Sequence, residues 1–154
     1  MTTMHVNDPA LPPERQNDPR VRKFSDLADL RIGAKGFLSK EDEQDLLEQG
    51  IREFGLSLSE SRGILLAIAD KHEAPIEREV MKGVAEWMRT AGGRRRRISR
   101  HQFNQAVSVY ETRANGEISR EDARRRVKGL MEENDMKPRR AGFFRSRRWY
   151  RRIV

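Results

Sequence analysis

The sequence contains no cysteine. That absence excludes a disulfide framework, a thiolate zinc site and a cysteine nucleophile, and it suits a reducing compartment. Aromatic residues make up only 6% of the chain, and no apolar run approaches the roughly 18 residues needed to cross a bilayer. Met1 to Arg20 lacks the apolar stretch of a secretory signal, so the expected location is cytoplasmic. Gly92-Gly93 is followed by arginines and not by the Lys-Ser/Thr ending of a phosphate loop, and no serine sits in a Gly-x-Ser-x-Gly elbow. His5, His72 and His101 are far apart, and Ile76 stands where a zinc-protease motif opening at His72-Glu73 needs its second histidine. Acidic runs such as Glu41-Asp42-Glu43 and Glu132-Glu133 fall on polar faces, where no burial would tune a carboxyl group for acid–base work. The chain therefore reads as a binding module and not an enzyme, with no cofactor, no metal and no small-molecule substrate.

What is present is charge, unevenly placed. Of 154 residues, 36% are apolar and 36% charged, against a usual balance of about 45–50% apolar (glycine included) and about 25% charged, so the core is expected to be modest. Residues 1–90 hold 13 Lys/Arg and 17 Asp/Glu, a net −4, whereas residues 91–154 hold 19 and 7, a net +12. Asymmetry of this kind points to a polyanionic or acidic partner for the C-terminal half.

Four of the six prolines (Pro9, Pro12, Pro13 and Pro19) lie within residues 1–23, which read as a flexible arm. A short helix or turn carrying Phe24, Leu27, Leu30 and Ile32 is expected to dock on the domain that follows. An aliphatic–serine pair then recurs at Leu38-Ser39, Leu58-Ser59, Ile98-Ser99 and Ile118-Ser119. Serine is a favoured N-cap because its hydroxyl accepts from an unpaired amide of the first turn, and the preceding aliphatic residue is placed to staple that turn. Ser99 with Gln102 makes a capping box; Ser39 with Asp42 and Ser119 with Asp122 put a shorter acid at the same place.

Each cap is followed by a helical period: Leu46, Leu47, Ile51 and Phe54; Ile64, Leu65, Ile68 and Ala69; Phe103, Ala106, Val107 and Tyr110; Ala123, Val127, Leu130 and Met131. Gly55, Gly92 and Asn115-Gly116 mark the stops. Pro75 opens a further helix whose apolar face is Ile76, Val80, Val84, Trp87 and Met88. No segment invites a strand. The predicted fold is all-α. A small helical domain over 24–135 holds two serine-capped helix–loop–helix pairs, at 39–73 and 99–134, joined by a bridging helix at 76–90. A separate tail follows over 136–154.

The segment from Glu111 to Asp122, flanked by amphipathic helices, resembles an EF-hand loop: Gly116 matches its turn glycine, Ile118 its central aliphatic residue, Asn115 and Ser119 two side-chain positions and Asp122 the last position. Arg31 to Asp42 falls in the same register through Gly36, Leu38 and Asp42. A calcium loop needs convergent oxygens ending in a bidentate glutamate. Here Arg113 occupies a ligand position, Glu111 replaces an aspartate and Asp122 is short; in the earlier segment Arg31, Gly33 and Lys35 fill the leading positions. The resemblance implies metal-free EF-hand-like hairpins of the sort that bind protein partners. Helical domains of the tellurite-resistance type look similar in their serine-capped hairpins.

The basic elements carry the functional reading. Arg94, Arg95, Arg96 and Arg97 form a loop before the Ser99 cap, where forked guanidinium donors can grip phosphates. Arg124, Arg125 and Arg126, with Lys128, line one side of a helix. The tail holds Lys137, Arg139, Arg140, Arg145, Arg147, Arg148, Arg151 and Arg152 with no acid, interleaved with Phe143, Phe144, Trp149 and Tyr150. Cations with rings suit nucleic acid, since the rings can stack on unpaired bases. The alternatives are a protein–protein adaptor or assembly factor, docked by Phe143, Phe144 and Trp149, and attachment to an anionic membrane surface.

Overall fold

A computed structural model of the protein describes residues 17–142 and 146–154. The fold is all-α, and it divides into two compact units at the Ile76/Glu77 junction. The expected arm lies outside the described residues as far as residue 16.

In the first unit, α1 runs over Pro19–Lys35. Asp18 caps it by accepting from the Arg20 amide, and Pro19 occupies the first turn, where a missing N–H costs nothing. Helix thus begins within the stretch read as an arm. Its buried face is Val21, Phe24, Ala28 and Ile32, while Leu30, expected to dock, is 72% exposed. Helix α2 (Lys40–Arg52) starts at the Ser39 cap, as expected. It buries Glu43, Leu46 and Gly50, and Ile51 points outward, because the inner face is set by close approach to the next helix. A Cβ on Gly50 would collide with the Ser61 side chain and come within 3.1 Å of Phe24.

Helix α3 (Leu58–Lys71) corrects one start signal. Its N-cap is Ser57 and not Ser59. Ser57 has Glu60 three residues on to complete the reciprocal capping box, and Leu56 before it is buried; Leu58, before Ser59, is exposed. The core of this unit gathers Phe24, Ile32, Leu38, Leu46, Leu56, Ile64, Leu65 and Ile68. A parallel bridge joins Leu38 to Ile76, with the Leu38 amide donating to the Pro75 carbonyl. Ile76 is therefore spent on this bridge and does not open the following helix.

The second unit repeats the plan. Helix α4 (Glu77–Gly92) buries Val80, Val84, Ala85 and Met88. Strand β1 (Arg97–Ile98) leads into the Ser99 capping box and α5 (Arg100–Arg113); the Ser119 cap opens α6 (Arg120–Glu133); β2 (Lys137–Pro138) follows, and one helical turn, α7 (Arg148–Arg151), precedes the C-terminus. The stripes Phe103–Ala106–Val107–Tyr110 and Ala123–Val127–Leu130–Met131 are buried as predicted. Strands β1 and β2 pair in parallel, Arg97 with Lys137 and Ile98 with Pro138, a two-residue ladder where no strand was expected. Proline is tolerated there because the ladder uses its neighbours: the Lys137 amide donates to Arg96 and the Arg139 amide to Ile98.

The two loops that resemble EF-hands belong to different units. Residues 31–35 lie inside α1 and residues 111–113 inside α5, and Leu38 pairs with Ile76, outside either loop. Asp42, at the last loop position, accepts from Lys35 at 2.6 Å and from the Ser39 hydroxyl at 2.7 Å. Burial opposes its ionisation, but those two donors prevail and hold its carboxyl below the usual value.

Candidate functional site

The second unit carries 22 Lys/Arg against 10 Asp/Glu, and the fold concentrates that excess. The β1–β2 ladder is what does so: it sets the Arg94–Arg97 loop beside Lys137–Arg140, about forty residues later in the sequence. The Arg139 amide donates to the Ile98 carbonyl at 2.7 Å, and the Arg139 guanidinium Nε donates to the Arg97 carbonyl at 3.2 Å.

After β2 the chain turns back on itself, Ala141 and Ser146 exchanging both backbone hydrogen bonds, at 2.9 and 3.0 Å. The tail then folds down onto its own unit. Ile153 is buried in the core with Met136, and its carbonyl accepts from Lys128 Nζ at 2.7 Å. The Trp149 ring packs edge-on against Phe103, with centroids 5.5 Å apart, and its Nε1 donates to the Arg139 carbonyl. The Tyr150 hydroxyl donates to Glu132, and burial, reinforced by that carboxylate, pushes its phenol well above the ordinary value. Lys128 sits 5.5 Å over the Tyr150 ring. These two aromatics are spent on fixing the tail.

Arginines gather around two clefts that share the tail segment. The first, about 460 Å³, is lined by Arg95, Arg97, Pro138, Arg139, Arg140 and Arg147. The second, about 320 Å³, includes Arg100, Asn104, Arg124, Arg148, Trp149 and Arg152. Among the described residues no carboxylate lines either cleft, and none of the nine arginines is ion-paired. Arg147 Nε is buried with no hydrogen-bond partner. Like charges gathered around a cleft raise the free energy of the empty surface, by about 1 kcal/mol for a pair about 4 Å apart in water, less for wider pairs and more where solvent is excluded. A bound anion relieves that repulsion.

The other candidates are placed differently. Arg125 is drawn to Glu121 and Asp122 on its own helix, and Arg126 Nε donates to the fully buried Glu77. Arg96 turns to the Asn134 carbonyl. Arg94 and Arg151 are exposed and line neither cleft. Phe143, Phe144 and Arg145 lie outside the described residues. Arg100 and Asn104 went unrecognised in the sequence; the available signal was that Arg100 resumes the Arg94–Arg97 run just past the serine cap, with Asn104 one turn on along the same face.

The described residues offer no group of three or more His, Asp or Glu that could hold a metal, and His101 is exposed. His72, in the first unit, has its Nε2 3.0 Å from Asp29, which also pairs with Lys71. No helix among the described residues is long and apolar enough to cross a membrane. No protein-family model, curated protein or solved structure matches the chain.

Proposed function

We propose that the chain is a non-catalytic module that binds nucleic acid through its phosphate backbone, using the arginine clefts of residues 77–154. The observation that carries this reading is the nine arginines around two adjoining clefts, with no carboxylate among the described lining residues. Guanidinium groups offer paired donors that match phosphate oxygens, and they keep their charge at any physiological pH. Nine of the lining side chains are guanidinium groups suited to phosphate, so the expected binding is charge-led and only weakly sequence-specific.

The test is fluorescence anisotropy with labelled oligonucleotides across a salt series. Deleting the tail would be the wrong perturbation, because Met136 and Ile153 are core residues. The informative variant replaces Arg95, Arg140, Arg100 and Arg152, all exposed, with glutamine. The intact chain should bind in the micromolar range or tighter at low salt, with log affinity falling by about 0.9 per phosphate contacted for each unit of log salt. The fourfold variant should lose most of that binding while its melting temperature holds or rises. Absence of binding at low salt, or binding to anionic vesicles but not to oligonucleotides, would sink the proposal.

A further inference from the structure

Resting on that reading, we propose that the surface is built for a duplex, with the two clefts gripping phosphates at separate places along its backbone, and not for a single strand. Single-strand binders pair a basic groove with aromatic faces on which successive bases stack. Among the described residues no aromatic side chain is exposed: Phe103 is buried, Trp149 presents its edge to Phe103 and donates to Arg139, and Tyr150 is tied to Glu132. Trp149 and Tyr150 pack against the core, Trp149 at the wall of the second cleft.

The cleft arginines are divided between the two sites. Arg139, Arg140 and Arg147 of the tail serve one cleft, and Arg148 and Arg152 serve the other. The first cleft draws its remaining arginines, Arg95 and Arg97, from the loop and strand β1 before α5; the second draws Arg100 from α5 and Arg124 from α6. A duplex is the nucleic acid whose phosphates are dense enough to occupy two such clefts at once, with one charge per about 1.7 Å of axis, and rigid enough to meet them without ordering a flexible chain.

The experiment compares a 20-base-pair duplex with each of its separated strands, using the full chain. Two paired variants, Arg95→Gln/Arg140→Gln and Arg100→Gln/Arg152→Gln, are set beside a charge-matched control, Lys82→Gln/Arg89→Gln. The control residues are exposed on α4 and line neither cleft. Duplex affinity should exceed that for either strand by about tenfold at moderate salt, and each cleft pair should lower the magnitude of the salt slope by about 1.8, against much less for the control. Strands bound as tightly as the duplex would overturn the inference and leave the nucleic-acid reading standing. A cleft pair without effect on duplex binding, or a control as damaging as both cleft pairs, would overturn the two-cleft arrangement. Failure of the intact chain to bind any of the oligonucleotides would remove the underlying reading as well.

Discussion

At the start of α4, Glu77 is fully buried and accepts from the Tyr110 hydroxyl at 2.6 Å and from Arg126 Nε at 3.1 Å. These contacts tie the first residue of α4 to the last turn of α5 and the middle of α6, all within the second unit. Replacing Tyr110 with Phe keeps the ring in its packing and removes one hydrogen bond to a charged acceptor, a loss of about 1.5–3 kcal/mol. Replacing Glu77 with Ala takes the acceptor from both donors, and the side chain of Arg126 is only 31% exposed; removing one partner of a buried pair costs about 3–5 kcal/mol. Glu77→Gln preserves shape and an acceptor for Tyr110 and should fall between. For a unit of this size each kcal/mol lowers the melting temperature by roughly 4–8 °C, so Tyr110→Phe should lower the transition of this unit by roughly 6–24 °C. Because all three side chains share one oxygen, the losses should not add, and Tyr110→Phe with Glu77→Gln should show a coupling of about 0.5–3 kcal/mol. Calorimetry on the single and double variants tests this. A Tyr110→Phe protein melting within a degree or two of the original, or strictly additive losses, would refute the claim that the buried acid organises the unit.

Ile153→Ala should lower stability by about 2–5 kcal/mol in denaturant melts although it lies next to the C-terminus, because its side chain is part of the core. A loss within a few tenths would show that the tail is not packed as described. Ser57→Ala should cost about 1 kcal/mol and Ser59→Ala markedly less, since only Ser57 accepts from the α3 amides; equal losses would contradict the capping geometry. The carboxyl of Asp29 is held below its ordinary value first by Lys71 and then by His72, so its stabilising effect is present above about pH 4 and fades as pH falls through the lower folded-state value. Asp29→Asn should accordingly melt slightly below the original at neutral pH, by under about 1 kcal/mol given its exposure, with the difference vanishing in acid; a difference that grows on acidification would reverse the assignment.

Most of the helices were legible because their signals are local. Ser39, Ser99 and Ser119 each cap a helix, and the stripes on α3, α5 and α6 are buried as their spacing predicts. The misreadings share a cause, which is that the deciding contact lies elsewhere in the chain. The inner face of α2 is set by Gly50 against Ser61 and Phe24, so a period based on large apolar residues selected Ile51 wrongly. Helix α1 places Ala28 among its buried residues and leaves Leu30 in solvent, so side-chain size again misled. The site follows the same logic. Its charge was plain, and the diversion of Arg125 could be read from Glu121 and Asp122 at helical spacing, but the joining of the Arg94–Arg97 loop to the tail depends on a two-residue ladder that no local pattern announces.

The arginine–aromatic alternation had a different meaning from the one its composition suggested. Alternation on a tail that folds back places one residue class inward and the other outward, so Trp149, Tyr150 and Ile153 fasten the segment while Arg140, Arg148 and Arg152 remain in solvent. Stability and charge are thereby assigned to different side chains of one segment. Removing the inward set should unfold the unit whether or not an anion is present. Removing the outward set should leave the unit folded and even relieve its self-repulsion. If the clefts are anion sites, adding phosphate or a short duplex should raise the melting temperature of the original chain and leave that of the outward-set variant unmoved, because only the folded original offers the preferred site. An equal rise in both proteins would place the anion elsewhere.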